Sequence, residues 1–489
     1  MKILKVFANQ YFWIFLVVLF GFWLRLYQID SPIADWHSWR QVDTAAVTRN
    51  FIKEGFNPFI PKYDDMSGNA ESPIPNPARF RFVEFPIYNI FVYPFYLLFG
   101  VDEMYHRLVS VFFSLGSIVF IFFITKKYLD TFTAFIASFV FAALPFNVFF
   151  SRTTLPEPTL VFLALAMMYF TGEWIEKEKV RNLILGFIFA LFAFLVKPWA
   201  IFFFLPLIYL VFKKKRKWYF GKKFILFTLL AITPFILWRL WIMQQPEGIP
   251  ASSWLLNSDG IRFRPAFFWW IISERLGREI LSVSGFALLL FGLILKPKDG
   301  NYFLHSWLLS SFLFMVIFAT GNVRHDYYQI LFVPIGVIFL ANGFVNLLLG
   351  NNLFIPRILL IPLALFLFLT TFYFGSKPVM ELYKINNPSI VEAGKVADLI
   401  LPNDAVVVAP YNGDTAFLYQ TNRPGFAFVP SSIKDLITDN GVDYYISTSF
   451  DDKTNWVIRH FNVFYETPQF VIADLTRLKE PLSDLDPEP

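Results

Sequence analysis

The chain has 489 residues, 56 % hydrophobic, 20 % aromatic and 16 % charged, with a net charge of +5 and no cysteine. Soluble domains carry about a quarter charged side chains, so much of this chain faces lipid. The lack of cysteine excludes disulfides, thiolate metal sites and a cysteine nucleophile, and basic residues in short stretches between apolar blocks mark cytoplasmic loops rather than a nucleic-acid surface.

The apolar blocks run for roughly 17 to 22 residues, enough at ~1.5 Å per helical residue to cross a hydrocarbon core of ~30 Å. Alternating strands of the barrel type are absent, so the spanning elements are helices. About 11 are expected, near 11–27, 106–124, 132–149, 157–174, 180–195, 198–212, 223–242, 281–296, 302–319, 328–349 and 357–374. The first follows Lys2 and Lys5 and has no small-x-small cleavage site after it, so it reads as a retained helix rather than a signal peptide.

With the N-terminus inside, every inner loop is basic: Lys126 and Lys127; Lys177, Lys179 and Arg181; the run Lys213 to Lys217 with Lys222 and Lys223; Lys296 and Lys298; and Arg357. The C-terminus then lies outside a plasma membrane. The block Phe85 to Phe99 holds Pro86, Asn89 and Pro94 and reads as a helix in the outer interface, as does Phe267 to Ile272 with its tryptophan pair.

Three long outer segments result, 28–105, 243–280 and 375–489. Loops of that size are usually functional. The first predicts a short helix over Thr44 to Glu54, with Asp43 as its N-cap. The last predicts a helix over Ile390 to Leu401, a strand over Ala405 to Ala409, a turn at Asn412-Gly413, a helix over Ile433 to Thr438, and strands at Tyr444 to Thr448 and Phe470 to Ala473. The chain thus divides into a membrane module, 1–375, and a small extracytoplasmic α/β domain, 376–489.

Charged and polar clusters gather on the outer side. Asp35, His37, Arg40 and Asp43 follow the first span, and two carboxylates with an imidazole and a guanidinium can serve as general base and anion site. Arg79, Arg81 and Glu84 lead into the interfacial segment. Arg152 and Glu157 flank an outer hairpin, where a carboxylate at a helix start also suits the dipole. Lys197 breaks a long apolar run at an outer turn without serving topology, which points to an anionic ligand. Arg324, His325, Tyr327 and Tyr328 open the tenth span and suit a phosphate. No Walker loop, dinucleotide fingerprint, HExxH or Gly-x-Ser-x-Gly occurs.

The segments His37-Ser38-Trp39-Arg40-Gln41 with Asp43-Thr44-Ala45, Glu84 to Asn89, Arg107-Leu108, Arg152 to Pro158, Leu195-Val196-Lys197-Pro198 and His325 to Gln329 resemble, in order, those of the GT-C glycosyltransferases. The similarity is to the family 39 proteins akin to protein O-mannosyltransferases and to the aminoarabinose transferase of lipid A. It implies a polyprenyl-phosphate-sugar donor, an inverting transfer and an acidic base in the first outer loop. The Asp-Glu pair of the best-known members is missing, with Asp35 and Asp43 bracketing its place, and Glu84 stands where relatives carry a lysine.

On this reading Asp35 or Asp43 is the base, and Lys197, Arg40, Arg324 and His325 hold the donor phosphate. His37, Glu84, Glu157, Tyr327 and Tyr328 contact substrate, and a divalent ion, if one takes part, falls to Asp35 and Glu157. The acceptor is a lipid, glycan or protein. Alternatives are a polymerase or ligase using lipid-diphosphate-linked glycans, and a transporter or flippase; the latter would place its charges near the midplane and show repeated halves.

Overall fold

The computed structural model describes residues 9–68, 74–214, 217–350 and 355–479, with 481 and 488. Lys2, Lys5, Lys215 and Arg216 of the basic signature lie outside the described residues. Helices dominate: α1 (Gln10–Arg25), α2 (Ser38–Glu54), α3 (Ile87–Phe99), α4 (Glu103–Tyr128), α5 (Thr131–Ala143), α6 (Pro145–Phe150), α7 (Glu157–Lys177), α8 (Val180–Val196), α9 (Leu205–Lys213) and α10 (Lys217–Ile242) come first. After a short α11 (Trp254–Asn257) follow α12 (Pro265–Trp269, continuing as a wide π-helical turn to Ile280), α13 (Ser282–Ile294), α14 (Phe303–Ile317), α15 (Ala319–Arg324), α16 (Val333–Leu349) and α17 (Arg357–Leu382).

Each expected span coincides with helix. Glu103–Tyr128, Glu157–Lys177, Tyr219–Ile242 and Arg357–Leu382 are long and apolar enough to cross a membrane alone, and Pro265–Ile280 with Ser282–Ile294 does so as a pair bent by 113°. The others are shorter apolar helices.

The departures have local causes. The span expected at 132–149 breaks at Leu144, because Pro145 has no N–H to give the carbonyl of Phe141. The carbonyls freed there are met by side chains: Asn147 Nδ2 donates to Phe141 O at 2.6 Å and Arg25 Nη1 to Ala142 O at 2.8 Å. The stretch expected at 198–212 starts as a 3-10 turn, Pro198–Phe203, before α9, and the stretch from 328 starts as a 3-10 turn, Asp326–Leu331, before α16. Asp43 is not an N-cap: α2 begins at Ser38 behind His37, whose φ is 55°, and Asp43 lies inside it. The last span runs to Leu382, past the boundary expected at 375.

Helices α13 and α16 meet backbone to backbone. A Cβ on Gly343 would lie 2.0 Å from Leu288 O and one on Gly292 would lie 2.0 Å from Phe339 O, so only glycine lets these backbones touch. The basic loops collect at one end: Lys127 pairs with Glu173 at 2.9 Å, Lys126 donates to Gln10 Oε1 at 2.6 Å, and Lys298 donates to Leu129 O at 2.8 Å. The described residues of 28–86 and the C-terminal domain sit at the other end, where Arg25 donates to Ser151 Oγ at 2.7 Å. Helix α3 buries Tyr88, Val92 and Tyr96 and exposes Phe91, Leu97, Leu98 and Phe99.

The C-terminal domain holds α18 (Pro388–Ile400), β1 (Val407–Val408), α19 (Ala416–Gln420), β2 (Gly425–Phe426), α20 (Ile433–Asn440), β3 (Tyr444–Ser447), α21 (Asp452–His460), β4 (Phe461–Glu466) and β5 (Val471–Leu478). The sheet order is β2-β1-β3-β5-β4, with β1 parallel to both neighbours and β5 antiparallel to both of its own. Helices α19 and α21 and strands β2 and β4 are absent from the sequence expectation.

The domain is clamped to the first long loop. Gly425 N donates to Asp64 O at 3.0 Å and Met66 N to Gly425 O at 2.7 Å, which adds a short rung to the sheet edge at β2. Arg49 pairs with Asp64 at 2.5 Å and lies over the Tyr419 ring at 3.9 Å.

Candidate functional site

A cavity of about 390 Å³ opens where α2, the segment 81–84, the α8 terminus, the cavity end of α10, α11 and the turn before α16 meet. Its charged lining is Arg40, Arg81, Glu84, Lys197 and Arg239, and its ring lining includes Trp39, Trp199, Trp254, His325, Tyr327 and Tyr328. A larger groove of about 640 Å³ between α1, α6 and α17 is lined by apolar groups, Ser376, Tyr27 and Tyr383, and has no charge with which to do chemistry.

Local sequence explains how each charge arrives there. Helix α8 cannot continue through Pro198, so Lys197 ends it with extended backbone (φ −156°, ψ 138°) and its side chain turns into the site. Lys197 forms a buried ion pair with Glu157, the first residue of α7, and its ammonium lies 4.4 Å from the Trp199 ring centre and 5.5 Å from that of Tyr328. Glu157 Oε2 is buried with no hydrogen-bond partner among the described residues.

Trp39 and Arg40 lie four and three residues before Asp43 on α2, so each shares a face with it. Arg40 Nη2 donates to both oxygens of Glu84, at 2.6 and 2.8 Å. Burial acts to raise the Glu84 carboxyl, but Arg40 and Lys197 outweigh it and hold it below the usual carboxylate range. Asp43 is 6 % exposed and is held through Oδ2 by Arg81 Nη2 at 2.8 Å and through Oδ1 by Thr415 Oγ1 at 2.7 Å. Burial pushes its carboxyl up, against the pull of Arg81.

Asp35 sits apart from the cavity lining. Its Oδ1 accepts from Gln41 Nε2 at 2.6 Å and its Oδ2 faces Arg152 at 3.4 Å. His37 is also set back: its Nε2 meets Asp326 Oδ1 at 2.7 Å, and Asp326 accepts from Trp36 Nε1 at 2.8 Å with Arg275 3.6 Å away. Burial would raise the Asp326 carboxyl, yet its bond with His37 and the charge of Arg275 keep it low. His325 is packed among Trp39, Trp254, Tyr327 and Tyr328. Burial, with His37 beside it, pulls its imidazole down to about 3, so it is neutral at physiological pH and offers a hydrogen bond, not a charge.

The structure therefore brings Arg40, Glu84, Lys197, His325, Tyr327 and Tyr328 together in one cavity. It places Asp43 and Glu157 directly behind that wall through Arg81 and Lys197. Arg324 departs from expectation: it is exposed, over the Trp254 ring at 5.1 Å, and outside the lining. Asp35 and Glu157 bind different basic side chains, so they are not assembled to share a metal, and among the described residues no group of three or more His, Cys, Asp or Glu could hold one.

Arg81 and Arg239 are lining residues that the sequence reading gave no role. Arg239 carried a usable signal, a cation inside the apolar run Trp238-Arg239-Leu240-Trp241, of the same kind that singled out Lys197.

Residues 84–241 match the model of the dolichyl-phosphate-mannose-protein mannosyltransferase family. No curated protein matches the chain in sequence. Among solved structures, the chain is similar to ArnT from Cupriavidus metallidurans bound to undecaprenyl phosphate, at 12 % identity over 94 % of this chain and 97 % of that one, with a TM-score of 0.63. It is similar to the Archaeoglobus fulgidus oligosaccharyltransferase AglB, in complex with an inhibitory peptide and a dolichol-phosphate, at 11 % identity over 97 % of this chain and 75 % of that one, TM-score 0.55. A mycobacterial arabinofuranosyltransferase, AftD, aligns at 12 % identity over 95 % of this chain and 41 % of that one, TM-score 0.56. Identities this low speak to fold, and the fold agrees across proteins of very different length. The chain is a multi-pass membrane protein with the GT-C fold that these glycosyltransferases share, and over residues 84–241 it is similar to the protein mannosyltransferases.

Proposed function

We propose that this protein is an inverting glycosyltransferase that moves a sugar from a polyprenyl-phosphate donor to an acceptor hydroxyl on the non-cytoplasmic side of the plasma membrane. The observation that carries this reading is Arg239. It lines the cavity from the end of an apolar helix, its guanidinium donates only to the carbonyl of Phe82 at 3.0 Å, and it has no carboxylate partner among the described residues. The other lining cations are answered, Arg40 by Glu84, Arg81 by Asp43 and Lys197 by Glu157.

One uncompensated positive charge in the cavity matches the single negative charge of a sugar–phosphate–lipid diester. A lipid diphosphate brings a further negative charge that no unpaired lining cation meets, which favours the monophosphate. The proteins of like fold that were solved with undecaprenyl phosphate and dolichol-phosphate support the same donor class.

The chemistry follows. The acceptor oxygen bonds to the anomeric carbon from the face opposite the phosphate while its proton passes to a carboxylate. The bond between that carbon and the phosphate oxygen breaks, its electron pair leaves on the lipid phosphate, and Arg239 and Lys197 stabilise the growing charge. The leaving phosphate needs no proton, so one carboxylate suffices, unlike the pair that glycoside hydrolases use.

Asp43 is the better base. It shares a helix face with lining residues Trp39 and Arg40, and its partner Arg81 lines the cavity, whereas Gln41 and Arg152, which hold Asp35, do not. The basic loops at the opposite end of the bundle support an inside N-terminus and a site facing out.

The test uses the full chain in nanodiscs with undecaprenyl-phosphate-linked pentoses and hexoses and follows release of undecaprenyl phosphate. Release that depends on Asp43 and Arg239 is expected. Turnover of lipid-diphosphate-linked sugars alone, or lipid flux across vesicles with no bond cleavage, would replace this reading by one of its competitors.

A further inference from the structure

The C-terminal domain reaches the proposed base directly. The turn at Asn412 and Gly413, with φ of 52° and 79°, sets Asp414 and Thr415 against the first turn of α2. Asp414 Oδ2 accepts from Ser38 Oγ at 3.1 Å, and Thr415 Oγ1 lies 2.7 Å from Asp43 Oδ1 and 3.3 Å from Trp39 O. Further along, Gln420 Nε2 donates to Ile33 O at 3.1 Å and Arg49 Nη1 to Tyr419 O at 3.0 Å, so this contact belongs to a docked face and not to a stray loop.

We infer that the C-terminal domain completes the catalytic site, with Thr415 as a positioning residue that aims the Asp43 carboxylate at the acceptor. The inference rests on the reading of Asp43 as base. A carboxylate fixed only by Arg81 at Oδ2 can still rotate about its last torsion, and the second anchor at Oδ1 removes that freedom. Each oxygen has two lone-pair directions, so Oδ1 keeps one for the acceptor hydroxyl after Thr415 has taken the other.

The hydroxyl also stabilises the charged form that a base must hold at neutral pH. The charged and titratable groups around Asp43 are Arg81 and Arg40, which favour its anion, and Asp64, Asp65, Asp414 and Tyr63, which do not. With acids on several sides and burial against it, the carboxylate depends on its two hydrogen-bond donors.

The experiment compares the wild type, Thr415→Val, Thr415→Ser and Asp43→Asn in nanodiscs, using the undecaprenyl-phosphate sugar that the wild type consumes. It records kcat, KM and the pH profile of kcat/KM. Thr415→Val should move the acid limb up by about one pH unit, a tenfold change in proton affinity, and lower kcat with donor KM unchanged; Thr415→Ser should restore both. An acid limb that does not move in Thr415→Val, or an equal loss in Thr415→Ser, overturns the inference while an inactive Asp43→Asn leaves the base assignment standing. Full turnover by Asp43→Asn removes the base assignment and the inference with it. Should Thr415→Val not fold, Thr415→Ala carries the same comparison.

Discussion

Replacing Lys197 by methionine separates what its ion pair does for the fold from what it does for the donor. Lys197 and Glu157 are a contact pair whose side chains are 8 % and 1 % exposed, and Glu157 Oε2 has no other partner among the described residues. Methionine fills the same volume between Trp199 and Tyr328 but leaves the Glu157 carboxylate buried and unanswered. Breaking a buried pair from one side costs about 3–5 kcal/mol, whereas replacing both members with neutral groups is often nearly neutral.

Lys197→Met should therefore lower the melting temperature in detergent clearly, and Lys197→Met with Glu157→Gln should recover most of it. Donor handling should not recover. Both variants lose the ammonium, so undecaprenyl phosphate binding, measured by its protection against thermal unfolding, should weaken by tenfold or more in each, about 1.4 kcal/mol or more. A double variant as unstable as the single one would refute the pair as the source of the loss. Wild-type protection by undecaprenyl phosphate in the double variant would refute Lys197 as a phosphate ligand.

Arg239→Gln should weaken the same protection by about tenfold, about 1.4 kcal/mol, with an unchanged melting temperature of the lipid-free protein, because among the described residues its guanidinium makes a single hydrogen bond, to Phe82 O. Asp65 is buried and its carboxyl is pushed up to about 6, so the fold prefers it protonated. Its unfolded value is lower, so its contribution is lost as pH rises from about 4 to 6; Asp65→Asn should stabilise the protein by about 1–2 kcal/mol at pH 8 and hardly at all at pH 4, read by melting curves at the two pH values. Gly343→Ala forces α13 and α16 apart at Leu288 O and should cost about 3 kcal/mol or prevent folding, read as loss of the monodisperse peak in size exclusion.

Much of the bundle was legible because lipid imposes long apolar runs and the basic loops between them are short. What the runs conceal is where a helix breaks. The stretch 132–149 contains Pro145, yet hydropathy treats it as continuous, and the rescue of Ala142 O by Arg25 bridges elements that the sequence cannot pair. The boundary at 375 failed for the opposite reason: Ser376, Lys377 and Pro378 look like a loop, but α17 runs through them to Leu382.

In the site, Lys197 was legible as a cation out of place and His325 as part of a polar aromatic cluster. The choice between Asp35 and Asp43 was not, because it depends on whether Arg81 or Arg152 faces the cavity. Arg324 misled because its neighbour lines the cavity while it points outward from the α15 terminus. Thr415 sits in a stretch with no charge pattern to mark it, and only the docking of its domain sets it against Asp43.

Asp43 and Thr415 are 372 residues apart in the chain. During synthesis the wall beside Asp43 stays unfinished until the much later segment that carries Thr415 has been made and has docked against α2. On the proposed function, a polypeptide cut short before Thr415 lacks a residue of its own active site.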